Sequence, residues 1–350
     1  MMKNLIDNHK FFLTVLFAIL LAFSAGSSAG EMQNRTMSLP AEGEDPTQVH
    51  FFVFMLNIDD IDEADQSFTV NVYVRLRWKD ERLTHNGTSA RTFPLEDVWN
   101  PQIIIVNEEG TIRKSLPQNV TVAQDGTVRY DQRYIGALSQ PLKLSDFPRD
   151  RHQFTIQFAA AGHTAEKLIF VPDVARSKEK MTGGGISREL SLPDWKIVKY
   201  EALVHPYEPV PEIRGAGFAF QFEAKRYWIY YFWQMIVPLA VIVAMSWAAF
   251  WIDPSLAAPQ IGVATSSILS LVAYRFVLGS LLPRLPYMTR MDYFMLGSTV
   301  LVFMALVEVI LTSALAYGER SELARRMDRL SRFAFPAIFL LVFIWSMFGG

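Results

Sequence analysis

The sequence predicts a membrane protein in two parts: a β-sandwich of the immunoglobulin-like kind, followed by a bundle of four membrane-spanning helices. Three observations carry this expectation. Charged residues are only 19% of the 350-residue chain, against 51% hydrophobic. The acidic residues crowd into the first part: 28 of 35 lie between Glu31 and Arg226, giving that segment a formal charge of −5. From Tyr227 onward, long uncharged runs follow one another.

Residues 1–30 read as a secretory signal. Lys3, His9 and Lys10 precede an apolar run from Phe11 to Phe23, and Ser27-Ser28-Ala29-Gly30 supplies small residues for cleavage. That run of 13 residues is short for a hydrocarbon core of roughly 30 Å. The mature chain is expected to begin near Glu31, outside the cytoplasm.

Residues 31–226 form the expected ectodomain. Val70, Val72, Val74 and Leu76 alternate with Asn71, Tyr73, Arg75 and Arg77, the period of a half-buried strand. Phe154 to Phe158 and Gly217 to Phe222 are further strand candidates. Asn86-Gly87, Asp125-Gly126 and Gly183-Gly184-Gly185 read as turns between strands. This punctuation points to a sandwich of about ten strands.

Residues 227–350 form the expected membrane domain, with spans at 227–252, 255–281, 291–317 and 332–348. Between the last two, Gly318 to Arg332 carries five arginines against three acids, which marks that link as cytoplasmic. Counting back through two spans puts the connection near Asp253-Pro254 inside as well, and leaves the connection Pro283 to Arg290 and the ectodomain outside. In the second span, Gly262, Ser266, Leu269, Ala273, Phe276 and then Ser280 fall along one helical stripe. The stripe is small and polar at its inner end and apolar further out. Hydroxyls replace part of an ion's water shell, and apolar rings close a pore by dewetting. One helix encloses no water, so this reading needs several copies of the chain. Close helix packing through small residues is the competing reading of the same stripe.

Other classes find little support. Without cysteine there is no disulfide scaffold, thiolate metal site or cysteine nucleophile. The six histidines lack metal-ligand spacing, and the motifs of hydrolases, P-loop proteins and dinucleotide binders do not occur. No enzyme, cofactor or metal is expected. A net charge of −2 gives no sign of nucleic acid.

Several motifs, in order, resemble one family. Ser246-Trp247-Ala248-Ala249-Phe250-Trp251, with Pro238 before it, resembles the end of a first span. Val272-Ala273-Tyr274 through Leu282-Pro283-Arg284-Leu285-Pro286-Tyr287 resembles the end of a second span and the loop after it. Trp99-x-Pro101 with Asn107, Trp78-x-Asp80-x-x-Leu83 and Phe147-Pro148-Arg149-Asp150 resemble ectodomain signatures. Together they are similar to the pentameric ligand-gated ion channels of the Cys-loop superfamily, and especially to their cysteine-free prokaryotic members. Gln140 and Phe154 stand where eukaryotic members carry the two loop cysteines.

The resemblance implies a homopentamer, four identical subunits joining each chain around a central ion path. It implies agonist binding between neighbouring ectodomains, and a bacterial inner membrane with the ectodomain in the periplasm. Leu269 aligns with the central hydrophobic gate and Phe276 with an outer constriction. Arg226, Glu63 and Asp150 align with charges that couple the domains, and Pro283, Arg284 and Pro286 with the loop that receives the motion. Tyr73, Val106, Ala161, His163 and Tyr207 align with the agonist site. Few of these are aromatic, which argues against an amine held over ring faces. A carboxylate, an aromatic ligand or protons are the alternatives, with His152, His163 and His205 able to titrate near neutral pH. Glu308 inside the third span is expected to be structural, and Arg275 to snorkel or pair.

Selectivity signals conflict. The inner mouth, Ala257-Ala258-Pro259-Gln260-Ile261-Gly262, has no acid, and the segment around it resembles anion-selective receptors. Five acidic ectodomains would enrich cations instead. The reading leans to small monovalent cations. The alternatives are an anion channel of the same family and, from another class, a non-conducting membrane-anchored sensor.

Overall fold

The computed structural model describes residues 37–40, 45–176, 180–211, 213–281, 285–318 and 320–349. The expected signal segment, like Pro283 and Arg284, lies outside the described residues, as does the side chain of Ser280. Fifteen strands occur among the described residues, more than the ten or so expected, because several are only three or four residues long. They are β1 (Thr47–Asp62), β2 (Ser67–Lys79), β3 (Arg91–Pro94), β4 (Ile103–Ile105), β5 (Glu108–Lys114), β6 (Asn119–Val122), β7 (Thr127–Ser139) and β8 (Arg151–Thr164). Then come β9 (Leu168–Pro172), β10 (Val174–Arg176), β11 (Lys180–Thr182), β12 (Gly184–Ile186), β13 (Trp195–Val204), β14 (Tyr207–Val210) and β15 (Ile213–Arg226).

Two sheets face each other. One runs β12-β1-β2-β7-β6-β3, with β9 also on β1 and β5 also on β7. The other runs β13-β15-β8-β4, with β14 on β15. The alternation in β2 does what its period requires: Phe68, Val70, Val72, Val74, Leu76 and Trp78 are all buried, while the residues between them are not. Rings fill the space between the sheets. Phe51 of β1 stacks on Phe218 of β15 at 4.5 Å, and Phe68 of β2 meets Phe154 of β8 edge-on at 5.1 Å.

Asp125-Gly126 makes the expected β6–β7 turn. Gly126 has φ +79°, and a Cβ there would lie 2.4 Å from the Asp80 carbonyl oxygen. The glycine run at 183–185 differs from expectation. Gly183 turns the chain, but Gly184 and Gly185 open β12 and pair in parallel with β1. A Cβ on Gly184 would stand 2.7 Å from the Val53 carbonyl oxygen, so the missing side chain is what admits this strand.

Side-chain amides hold the ectodomain's neck. Asn107 Nδ2 donates to the Ser139 and Thr155 carbonyls at 3.1 and 2.9 Å, tying one sheet to the other. Gln140 Oε1 accepts from the Thr155 N–H at 3.2 Å. A hydrogen bond thus closes the loop between β7 and β8 (residues 140–150), called the signature loop below, where the resemblance leads one to expect a disulfide.

Four helices follow: α1 (Trp228–Trp251), α2 (Ala257–Gly279, continuing to Leu281), α3 (Arg290–Tyr317) and α4 (Ser321–Phe348). Each is long and apolar enough to cross a membrane. α1 loosens into a π-turn at Phe232–Ile236, just before Pro238. Proline has no N–H for the Gln234 carbonyl four residues back; the Tyr274 hydroxyl of α2 lies 3.5 Å from that carbonyl and donates to the neighbouring Met235 carbonyl at 2.8 Å. Thr289 and Asp292 form a capping box at the start of α3. The fourth helix starts at Ser321, before the span expected from 332. The arginine-bearing segment from Ser321 is already helical, since Leu, Ala, Arg and Met favour helix whether or not they sit in lipid.

Candidate functional site

Residues of interest fall in three places. The first is the face of α2 that its own subunit leaves uncovered. Gln260, Ala264, Ser267, Leu271 and Leu278 are buried against the rest of the bundle. Gly262, Ser266, Leu269, Ala273 and Phe276 are exposed, Leu269 at 71% and Phe276 at 78%. At 100° per residue, Thr265 and Val272 also lie within about 60° of Leu269, and both are exposed. The expected stripe left these two out; helical geometry alone would have included them. Arg275 lies about 120° from Leu269, away from the centre of this face. Ser267, a hydroxyl of the same span, points elsewhere and donates to the Val263 carbonyl at 2.9 Å. Asp253 stands just before α2, where its Oδ1 accepts from the Ser255 N–H and hydroxyl.

The second place is the junction between the sandwich and the helices. Arg226, the last residue of β15, is buried with Asp150 of the signature loop. Its Nε donates to Asp150 Oδ1 at 2.9 Å and its Nη2 to Asp150 Oδ2 at 3.1 Å. Its Nη1 donates to Glu63 Oε1 at 2.7 Å and to the Tyr231 hydroxyl at 3.0 Å. Glu63 lies in the turn between β1 and β2. Three elements distant in sequence therefore meet on one guanidinium, whose planar fork suits such a pairing. The Trp195 ring lies 4.0 Å from the guanidinium carbon, with Phe147 and Tyr231 also against it. Sequence reading missed these rings, because nothing in the order of residues places Trp195 beside Arg226.

Burial alone would raise the Asp150 carboxyl. The bonds from His152, whose Nε2 lies 2.7 Å away, and from Arg226 outweigh it and hold the group below the usual carboxylate range. The sign follows from linkage: a depressed carboxyl stabilises the fold above its unfolded pKa of about 4, and that contribution is lost as pH falls through the folded value. The junction should therefore stay closed through neutral pH and open in acid below about pH 4. The chain has eight tryptophans, so the difference in emission between the wild type and Trp195→Phe during acid titration isolates the signal at this junction, and Asp150→Asn should remove that part of the transition.

Around this clasp, the Tyr287 hydroxyl accepts from the Leu144 N–H at 3.0 Å, joining the α2–α3 connection to the signature loop. Pro286 beside it is exposed. A cleft of about 220 Å³ lies here, with Glu63, Phe147, Arg226, Tyr231 and Tyr287 in its wall.

The third place is the expected agonist site, which one subunit does not assemble. Val106, Ala161, His163 and Tyr207 lie along the five-stranded sheet, at or beside β4, β8 and β14. Tyr73 lies on β2 of the other sheet, where its hydroxyl bonds Asp131 and accepts from Arg75 at 2.9 Å. His163 packs against the Trp99 ring at 5.6 Å. Burial, with help from Lys167, pushes its pKa down. Tyr207 borders an open hollow with His205, Gln157 and the ion pair Glu208–Arg214. Glu308, in α3, is buried and accepts from the Ser331 hydroxyl of α4 at 3.0 Å. Among the described residues no group of three or more His, Cys, Asp or Glu is placed to hold a metal ion.

Comparison with known proteins adds to this geometry. Residues 33–226 match the neurotransmitter-gated ion-channel ligand binding domain, and residues 235–323 match the neurotransmitter-gated ion-channel transmembrane region. A proton-gated ion channel of Gloeobacter violaceus is 27% identical over 307 residues, covering 86% of this chain and 83% of that one. The gamma-aminobutyric acid receptor subunit beta-4 of Gallus gallus is 24% identical over 305 residues, 84% of this chain and 60% of its own length. The gamma-aminobutyric acid receptor subunit beta of Lymnaea stagnalis is 23% identical over 308 residues, 83% and 60% respectively. The chain thus spans less than two thirds of the animal subunits it resembles. With one model covering the sandwich and another most of the helices, the chain belongs to the neurotransmitter-gated ion-channel family, whose members are ligand-gated channels and not enzymes.

Proposed function

We propose that this chain is the subunit of a homopentameric ion channel that opens when a small ligand or protons act on its ectodomain. Four identical partners complete the ring, in a bacterial inner membrane with the sandwich in the periplasm. The carrying observation is the uncovered face of α2, polar at Ser266 and apolar at Leu269 and Phe276, on a helix whose opposite side is packed. Five such faces around an axis make a wetted inner half and an apolar gate. The ligand site lies between neighbours, Tyr207 and His163 on one side and Tyr73 on the other. A relative that is itself named a proton-gated channel supports protons as the trigger.

Small monovalent cations are the favoured cargo, because the acidic ectodomains concentrate them above the membrane. An anion channel is the second reading, favoured by an inner mouth without an acid. Recording from oocytes under steps of external pH and a panel of carboxylates and aromatic amino acids tests both. A gated current whose reversal potential follows sodium is the expected result; one that follows chloride overturns the cation reading. Silence with the protein at the surface, for Leu269→Ala as well, overturns the channel reading in favour of a non-conducting sensor.

A further inference from the structure

A knot of polar side chains lies inside the helix bundle, at the end away from the ectodomain. Glu308 of α3 and Asp328 of α4 are both buried there, Asp328 at 1% exposed. Their carboxyls face each other. Glu308 Oε1 accepts from the Ser331 hydroxyl, but Glu308 Oε2 and both carboxyl oxygens of Asp328 have no hydrogen-bond partner. Three acceptors thus meet without a donor, which is costly away from water.

The charged group beside the pair is Arg332 of α4, half-buried, whose Nε donates to the Phe250 carbonyl of α1 at 2.9 Å. Two carboxylates against one guanidinium leave the knot one positive charge short. Asp328 also faces Thr312 of α3 and Gln260 of α2. The Thr312 hydroxyl is taken by the Glu308 main-chain carbonyl at 3.0 Å. A metal ion needs several oxygens held apart around it. Two carboxyls in contact suit a proton, because like charges that close do not both ionise.

The knot reaches the inner end of α2. The Ser313 hydroxyl of α3 donates to Gln260 Oε1 at 3.1 Å. Gln260 Nε2 donates in turn to the Ala249 and Ile252 carbonyls at 3.2 and 2.9 Å, bracing the α1–α2 turn. Gln260 stands two residues before Gly262, where the uncovered face of α2 begins.

We propose that Glu308 and Asp328 hold one proton between them, taken from the cytoplasmic side, and that this proton fastens α4 to α3 and sets how readily the inner mouth of the pore opens. Its effect on current rests on the channel reading given above; the proton itself does not. It sits in a hydrogen bond between Glu308 Oε2 and an Asp328 oxygen. On release it passes to water and leaves two carboxylates, which repel each other across the α3–α4 contact.

The test uses the full chain. In nanodiscs at neutral pH, the infrared spectrum of the wild type should contain a protonated-carboxyl band that is missing from the double variant Glu308→Gln with Asp328→Asn. That variant keeps the shape of the pair and brings its own amide donors. The band should fade as pH is raised to about 9 and ignore replacement of sodium by potassium at fixed pH. In inside-out patches, raising cytoplasmic pH from about 7 to about 9 should shift the activation midpoint for the external stimulus by about fivefold or more, with unitary conductance unchanged. The double variant should open on the same stimulus without that shift. Absence of the band in the wild type, or a carboxylate spectrum that follows sodium and so reports a metal ion in the proton's place, overturns the proposal. So does a wild-type midpoint that cytoplasmic pH leaves unmoved. If nothing conducts, the channel reading fails, and the infrared result still decides whether the pair holds a proton.

Discussion

Arg226→Ala should abolish the evoked response and destabilise the chain by about 3–5 kcal/mol, the usual cost of removing one partner of a buried ion pair. Arg226 is 2% exposed and Asp150 is equally buried, so truncation strands a carboxylate with only His152 beside it. It also removes the one group shared by β15, the β1–β2 turn and the signature loop. Stability and coupling can be separated. Arg226→Met with Asp150→Leu replaces the pair by apolar side chains of similar bulk, which is often neutral or stabilising. That double variant should melt near the wild-type temperature in detergent and still fail to open on stimulation. Recovery of gating in it would mean that the clasp is a folding element only.

Leu269→Ala should act in the opposite direction. In one subunit Leu269 is largely uncovered, so its loss leaves little cavity and changes stability by no more than about 0.5 kcal/mol. In a ring, five leucine side chains disappear from one level at once. The apolar barrier to water thins, and the expected result is a standing leak together with a lower activation midpoint. Leu271, two residues on, is the internal control. It is 1% exposed, on the packed side of α2. Leu271→Ala should cost about 2–5 kcal/mol as a packing defect and produce no leak. A leak from Leu271→Ala without one from Leu269→Ala would place the water path on the other side of the helix.

What the sequence made legible follows physical range. Periodicity is local, so β2 and the α2 stripe could be read from single segments. Uncharged runs are local too, and they located four helices. The helix α4 begins before the expected span because hydropathy reports the lipid boundary, whereas helix propensity continues past it to Ser321. Gly184 reads locally as part of a turn because its role is set by Val53 and Phe220, which lie far away in sequence. Arg226, Glu63 and Asp150 could be named only through family resemblance, and the rings around them were not named at all. Arg149 has no role legible from its motif alone, since its partner, the Met347 carbonyl of α4, lies 198 residues away. The residues expected at a ligand site stay divided between two sheets of one chain, as a site shared by two subunits requires of each.

The central claim, that the uncovered face of α2 lines a water path, has a direct measurement. The chain contains no cysteine, so each introduced thiol is unique in its subunit. Ser266→Cys, Leu269→Cys, Ala273→Cys and Phe276→Cys would be compared with Ala264→Cys, Ser267→Cys and Leu271→Cys. Each is exposed to a charged, membrane-impermeant thiol reagent during stimulated recording. The account predicts block or lasting modification of current at the first four positions and none at the last three. Modification at 264, 267 and 271 with no effect at 266, 269, 273 and 276 would contradict it.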